Sequence, residues 1–186
     1  MRQYCICDIL IYIMKQQIKT VGREDNNMKY WEVLETDLMP LTLVCDESAL
    51  LCVNFGTAEP DGAVRKRTEL IEKVSEQLKE YLAGERQAFD LPLRPEGTEF
   101  QKKVWDALTV IPYGETRSYQ EIAVQIGNPK ACRAVGMANN RNPIPIIIPC
   151  HRVIGARGSL VGYGGGLDIK VKLLEIEVPG FSQKNY

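Results

Sequence analysis

The sequence predicts a mixed α/β (α+β) fold in two parts, a small strand-rich unit followed by a mostly helical one that carries a helix-turn-helix. Three observations predict it: short apolar runs split by turn residues over 30–55, a helical stripe closed by a glycine over 68–84, and capping boxes at Thr98 and Ser118. With 186 residues, 45% hydrophobic and 25% charged, the chain has an ordinary globular composition and can bury a real core.

Residues 1–27 differ from the rest. The stretch 4–14 is mostly apolar but broken by Asp8, and eleven residues are too few to span a bilayer. No small-residue cleavage site follows it, so the segment reads as an extension and Met28 as the start of the regular pattern. Strands are expected at 30–34, 41–45 and 50–55, with Asp46, Glu47 and Ser48 turning the hairpin. Leu70, Val74, Leu78 and Tyr81 recur at helical spacing and Gly84 ends that helix. The proline-containing stretch 91–95 serves as a linker, dividing the chain into 28–92 and 93–186.

Beyond the linker, Thr98 with Gln101 opens a helix striped by Phe100, Val104 and Leu108 that ends before Pro112. Ser118 with Glu121 opens a short helix closed by Gly127. Asn128 is then placed to cap another with Pro129 at its first position. Two helices joined this tightly predict a helix-turn-helix whose second helix, 130–140, has a low profile of Ala131, Ala134 and Ala138 with Arg133 projecting. Such a pair serves DNA binding in some proteins and plain packing in others.

Charge is uneven. The net charge of −1 excludes a uniformly basic nucleic-acid binder, yet from Gly114 to Arg157 six cations face only Glu115 and Glu121, a local excess of +4 that suits an anionic partner. Six cysteines without a CxxC pair read as reduced intracellular thiols, and one histidine with scattered cysteines supplies no tetrahedral zinc site.

The chemistry concentrates at Pro149-Cys150-His151-Arg152-Val153, where a thiol sits beside the only histidine of the chain. A cysteine after three isoleucines is either an inert core residue or a nucleophile at the end of a strand that Pro149 terminates. Neighbouring strand residues point to opposite faces, so Cys150 and His151 cooperate only if the backbone turns or a water bridges them. Glu175 and Glu177 lie on the last helix, and a carboxylate reaching His151 would orient the ring. The Gly162-Tyr163-Gly164-Gly165-Gly166 run lacks a phosphate-loop signature; it is a turn or a place where a flat ligand meets the backbone.

Several of these stretches together resemble one family, the O6-alkylguanine-DNA alkyltransferases or methylated-DNA-protein-cysteine methyltransferases. They are 111–116 (IPYGET), 133–136 (RAVG), Asn142-Pro143, 148–153 (IPCHRV) and 162–167 (GYGGGL). The resemblance implies a ribonuclease-H-like first domain and a second, winged-helix-like domain that sets its recognition helix in the minor groove of double-stranded DNA. It implies direct-reversal repair, in which an alkyl group passes irreversibly from O6-alkylguanine, or O4-alkylthymine, to Cys150 without a cofactor or metal. His151 would be the base acting through water, Glu177 its support, Asn142 the support of the turn, and Tyr119 a proton donor that also presses on the flipped nucleotide. Arg133 would fill the vacated base space, Ala131, Cys132 and Gly136 would face the groove, and Val153, Tyr163, Gly164 and Gly165 would line the base pocket. The implied protein is a cytoplasmic monomer, or nuclear in a eukaryote, with no membrane association. Gly164 stands where some members have serine, and Cys132 and Met137 stand where alanine or glycine is common. A non-catalytic lesion binder is the alternative, and its relatives lack the acceptor cysteine.

Overall fold

The computed structural model describes residues 28–181; the expectations for the extension 1–27, with its apolar stretch, lie outside the described residues. The first half is a four-stranded sheet of β1 (Lys29–Leu34), β2 (Leu41–Cys45), β3 (Leu50–Phe55) and β4 (Ala63–Arg65) in the order β3-β2-β1-β4. β1 and β3 run antiparallel to β2, pairing Leu34 with Leu41 and Leu43 with Val53, and β4 runs parallel to β1. The expected hairpin turn forms because the Asp46 carboxylate accepts from the Ser48 and Ala49 amides, closing an Asx turn. Helix α1 (Glu69–Leu82), capped by Thr68, lays Ile71, Val74, Leu78 and Tyr81 across β1 to β3.

The second half follows through 91–95, and this connector is bonded to the sheet. The Leu50 amide donates to the Pro92 carbonyl and the Arg94 amide to the Leu50 carbonyl, at 2.8 and 2.9 Å, while the Val53 amide donates to Pro143 at 2.9 Å. Helix α2 (Glu99–Thr109) has the predicted Thr98–Gln101 capping box, and the indole of its Trp105 donates to the Ala138 carbonyl at 2.9 Å. Strand β5 (Arg117–Ser118) leads into helix α3 (Tyr119–Gln125), again with its capping box, and helix α4 (Cys132–Asn140) completes the helix-turn-helix.

The start of α4 corrects the sequence reading. Gly127, at φ +75°, and the Asn128 amide bonded back to the Ala123 carbonyl close α3. The chain then needs a further turn, 128–131, before it can run as a helix. Pro129 therefore sits in that turn, and Ala131 caps α4 without a side-chain bond. A 3₁₀ turn (Cys150–Arg152), strand β6 (Val153–Ile154) paired with β5, a second 3₁₀ turn (Ala156–Gly158) and helix α5 (Leu167–Glu177) finish the fold. One apolar core runs through both halves, from Leu43 and Leu78 to Leu108, Ile144 and Leu173. No helix among the described residues is long and apolar enough to cross a membrane.

Candidate active site

The segment before the thiol is not the strand expected at 146–148. Prolines 143, 145 and 149 remove amide donors, and the Asn142 side chain clamps the resulting loop: its amide donates to the Ile148 carbonyl at 2.7 Å and its oxygen accepts from the Ile144 amide at 3.0 Å. Ile146 is held at φ +74° while fully buried, a conformation that costs a β-branched residue roughly 1–3 kcal/mol. The loop delivers Cys150 onto a 3₁₀ turn, with Asn139 donating to the Cys150 carbonyl. The backbone turn is the device that frees Cys150 and His151 from opposite faces of a strand.

Behind the thiol lies a buried cluster. Glu177 Oε1 is 2.9 Å from His151 Nε2, accepts from the Tyr81 hydroxyl at 2.5 Å and from Arg152, while Oε2 accepts from the Gly114 amide at 3.0 Å. Tyr81 also lies 3.2 Å from His151 Nε2, and Arg152 bonds the Ile111 carbonyl and stands over the Tyr113 ring. Burial alone would raise the Glu177 pKa, but hydrogen bonds from His151 and Arg152 outweigh it and bring it down to about 2. An ionised Glu177 only accepts, so His151 carries its proton on Nε2 and Nδ1 keeps its lone pair. Nδ1 has no hydrogen-bond partner among the described residues. Burial lowers the His151 pKa despite Glu177, with the Arg152 and Lys170 charges in the same direction, so the imidazole is a neutral base.

Cys150 is 3% exposed, and burial raises its pKa. Asn142, the Lys170 charge and the Tyr163 side chain pull the other way, so the site favours a protonated resting thiol that ionises when a base takes its proton. Lys170 is fully buried, its ammonium bonded to the Val153 and Val161 carbonyls at 2.5 and 3.3 Å, and burial lowers its pKa to about 8. Tyr163 is buried with no nitrogen or oxygen partner for its hydroxyl among the described residues; the group it favours is the Cys150 thiolate.

A cavity of about 220 Å³ opens on Cys150, lined also by Asn140, Asn142 and Gly164, and by Asn54 and Phe55 of β3. Val153 and Tyr163 lie buried, the latter with its ring 5.8 Å from that of Phe55. The glycine loop is not free of bulk, because a Cβ at Gly165 would come within 2.8 Å of the Phe55 ring. Gly165→Ala is therefore expected to destabilise the protein by about 1–3 kcal/mol, and Phe55→Ala in the same chain to return part of that loss. Urea unfolding of both variants checks this, and equal losses with and without Phe55 would refute the collision.

The helix-turn-helix face is open. Arg133 is exposed with no carboxylate within 4 Å among the described residues, Ala131 and Cys132 are half-buried, and Met137 is 59% exposed. Gly136 of α4 lies over the Tyr119 ring, which an added Cβ would meet at 3.8 Å, an ordinary contact. The Tyr119 hydroxyl donates to the Val161 carbonyl at 3.1 Å, so here it is turned to the loop. Sequence reasoning named Cys150, His151, Glu177 and Asn142, which the fold brings together. It missed Phe55, Tyr81, Asn139, Arg152 and Lys170; only Arg152 carried a local signal, its place beside His151.

A buried thiol next in the chain to a neutral imidazole that an ionised carboxylate holds, on a half that carries a helix-turn-helix, fits a cysteine-dependent group-transfer protein. Comparison with known proteins makes this specific. The 6-O-methylguanine DNA methyltransferase ribonuclease-like domain matches residues 29–95 and the DNA binding domain of the same family matches 99–178. A methylated-DNA–protein-cysteine methyltransferase of Methanosarcina acetivorans is 56% identical over 153 residues, 80% of this chain and 97% of that one. The crystal structure of Mycobacterium tuberculosis O6-methylguanine methyltransferase superposes with a TM-score of 0.75 at 49% identity, covering 81% of this chain and 93% of that one. The same protein in complex with DNA gives 0.70 at 48% identity over 80% and 92%. The chain belongs to the 6-O-methylguanine DNA methyltransferase family.

Proposed function

We propose that this protein repairs O6-alkylguanine in double-stranded DNA by moving the alkyl group to Cys150, once per chain. The His151 Nδ1 lone pair, aimed by the Nε2–Glu177 bond, carries this reading. The thiol proton passes through water to His151, the sulfur attacks the alkyl carbon in line, the C–S bond forms as the C–O6 bond breaks, and the guanine leaves. The departing guanine takes up a proton, for which Tyr119 is the nearby donor once its hydroxyl leaves Val161. No turnover follows, because a thioether has no leaving path back to water.

The groove face would be α4. Its small side chains permit a shallow minor-groove approach, suited to a repair protein that must accept any sequence context, and Arg133 projects to take the place of the extruded base. A cytoplasmic setting, with the DNA and the cell's reductants, suits a site that depends on a reduced thiol.

The test is incubation with duplex DNA bearing radiolabelled O6-methylguanine, followed by intact-protein mass measurement. One methyl group on Cys150 per chain is expected, and continued release of label into solution would refute transfer in favour of hydrolysis. Arg133→Ala is expected to slow repair in duplex DNA by about tenfold or more while leaving reaction with free O6-benzylguanine nearly unchanged, since only the duplex requires a base to be flipped. Equal losses on the two substrates would remove Arg133 from the extrusion step.

A further inference from the structure

Tyr81 belongs to α1, in the half that carries neither the thiol nor the recognition helix, yet its hydroxyl ends on the two groups that prepare the thiol. A buried hydroxyl costs free energy unless it is bonded, and a phenyl ring would pack equally well against Phe89 and Tyr113, whose centroids lie 5.2 and 6.2 Å away. The hydroxyl therefore answers to the cluster, not to the core. Resting on the alkyl-transfer reading above, we infer that Tyr81 is a positioning residue for that reaction: by donating to Glu177 Oε1 beside His151 Nε2, it fixes the carboxylate and sets how strongly the imidazole holds a proton.

The electrostatics give the inference a direction. His151 faces Glu177 and Lys170 from α5, Arg152 on its own turn, and Tyr81 from α1, while Tyr113 lies against Arg152 and edge-on to Tyr81. Arg152 and Lys170 disfavour the imidazolium and Glu177 favours it. A phenol that donates to Glu177 drains charge from the carboxylate and so weakens its hold on the imidazolium. Remove the hydroxyl, and Glu177 becomes more basic, His151 is protonated at higher pH, and on the acid side the base is lost from a larger fraction of molecules at a given pH.

Single-turnover methyl transfer from duplex O6-methylguanine, followed from about pH 5 to about pH 9, tests this. For Tyr81→Phe the expected result is an acid limb displaced to higher pH, with a rate lower by up to about tenfold on that limb, a smaller loss at neutral pH, DNA affinity close to that of the parent and a Tm lowered only as far as one lost hydrogen bond requires. Site-specific 3-fluorotyrosine at position 81, a stronger donor of the same shape, is expected to displace the acid limb to lower pH. Opposite displacements are a signature that loss of packing does not produce. An acid limb that stays fixed in both proteins, or a rate loss in Tyr81→Phe that merely follows Tm, would overturn the inference. Absence of methyl transfer to Cys150 in the parent protein would instead overturn the functional reading on which it rests.

Discussion

Cys150→Ser is expected to bind duplex DNA containing O6-methylguanine and to transfer nothing measurable, the rate falling by on the order of 10⁴-fold or more. The serine hydroxyl has the shape of the thiol but not its acidity, and the pull of Asn142, Lys170 and Tyr163 that helps a buried thiol ionise is far too small to make an alkoxide. The surface formed by α3 and α4 lies outside this change, so affinity for the lesion is expected to persist. Gel-shift titration with a parallel transfer assay checks both halves of the expectation. Label arriving at normal rate on Cys132, the half-buried thiol of α4, would dismiss Cys150 as acceptor.

Glu177→Ala is expected to be the most destabilising single change at the site. It strips Arg152 of its partner while the guanidinium side chain stays 7% exposed, and it leaves His151, Tyr81 and the Gly114 amide without their shared acceptor. Breaking a buried pair from one side costs about 3–5 kcal/mol, enough to lower Tm by many degrees and to abolish His151 as a tuned base. The parent protein is expected to show the same interaction through pH. The Glu177 pKa is about 2 in the folded state against 4.5 for the unperturbed group. Its contribution is thus fully present above the unfolded value, and it is lost progressively as pH falls from about 4.5 toward about 2, where the unfolded chain gains the proton first. Urea unfolding across that window, with Glu177→Gln lacking this component of the acid sensitivity, is the measurement. A Glu177→Ala loss below about 1 kcal/mol would show that the cluster is not a unit.

The parts of the fold legible in the sequence were those whose signals are local. Short apolar runs split by turn residues marked β1 to β3, and the Ser/Thr-x-x-Glu/Gln boxes placed the starts of α2 and α3 because each box is closed by residues three apart. β4, three residues in a basic stretch, has no period to read and exists because β1 offers it a parallel partner. The isoleucine run misled for the opposite reason: its composition favours a strand, but the prolines and the Asn142 clamp impose the loop with Ile146 at positive φ. Asn128 looked like a helix cap, yet the closing turn of α3 displaced the helix to Cys132. At the site, Tyr81 meets Glu177 across 96 positions of chain and His151 across 70, contacts that nothing short of the folded backbone announces.

The bonds that β3 makes along its outer edge bear on whether the first half can live alone. Among the described residues, Leu50 is paired by the connector and Val53 by Pro143, so the free rim of the sheet is β4, short, ending in Arg65 and followed by Lys66 and Arg67. Cut away from the connector and the second half, the same sheet would bare a second rim, with the Leu50 and Val53 amides unpaired and open to another copy. The second half thus guards the first against self-association: what looks like two modules on a string is, for solubility, one object.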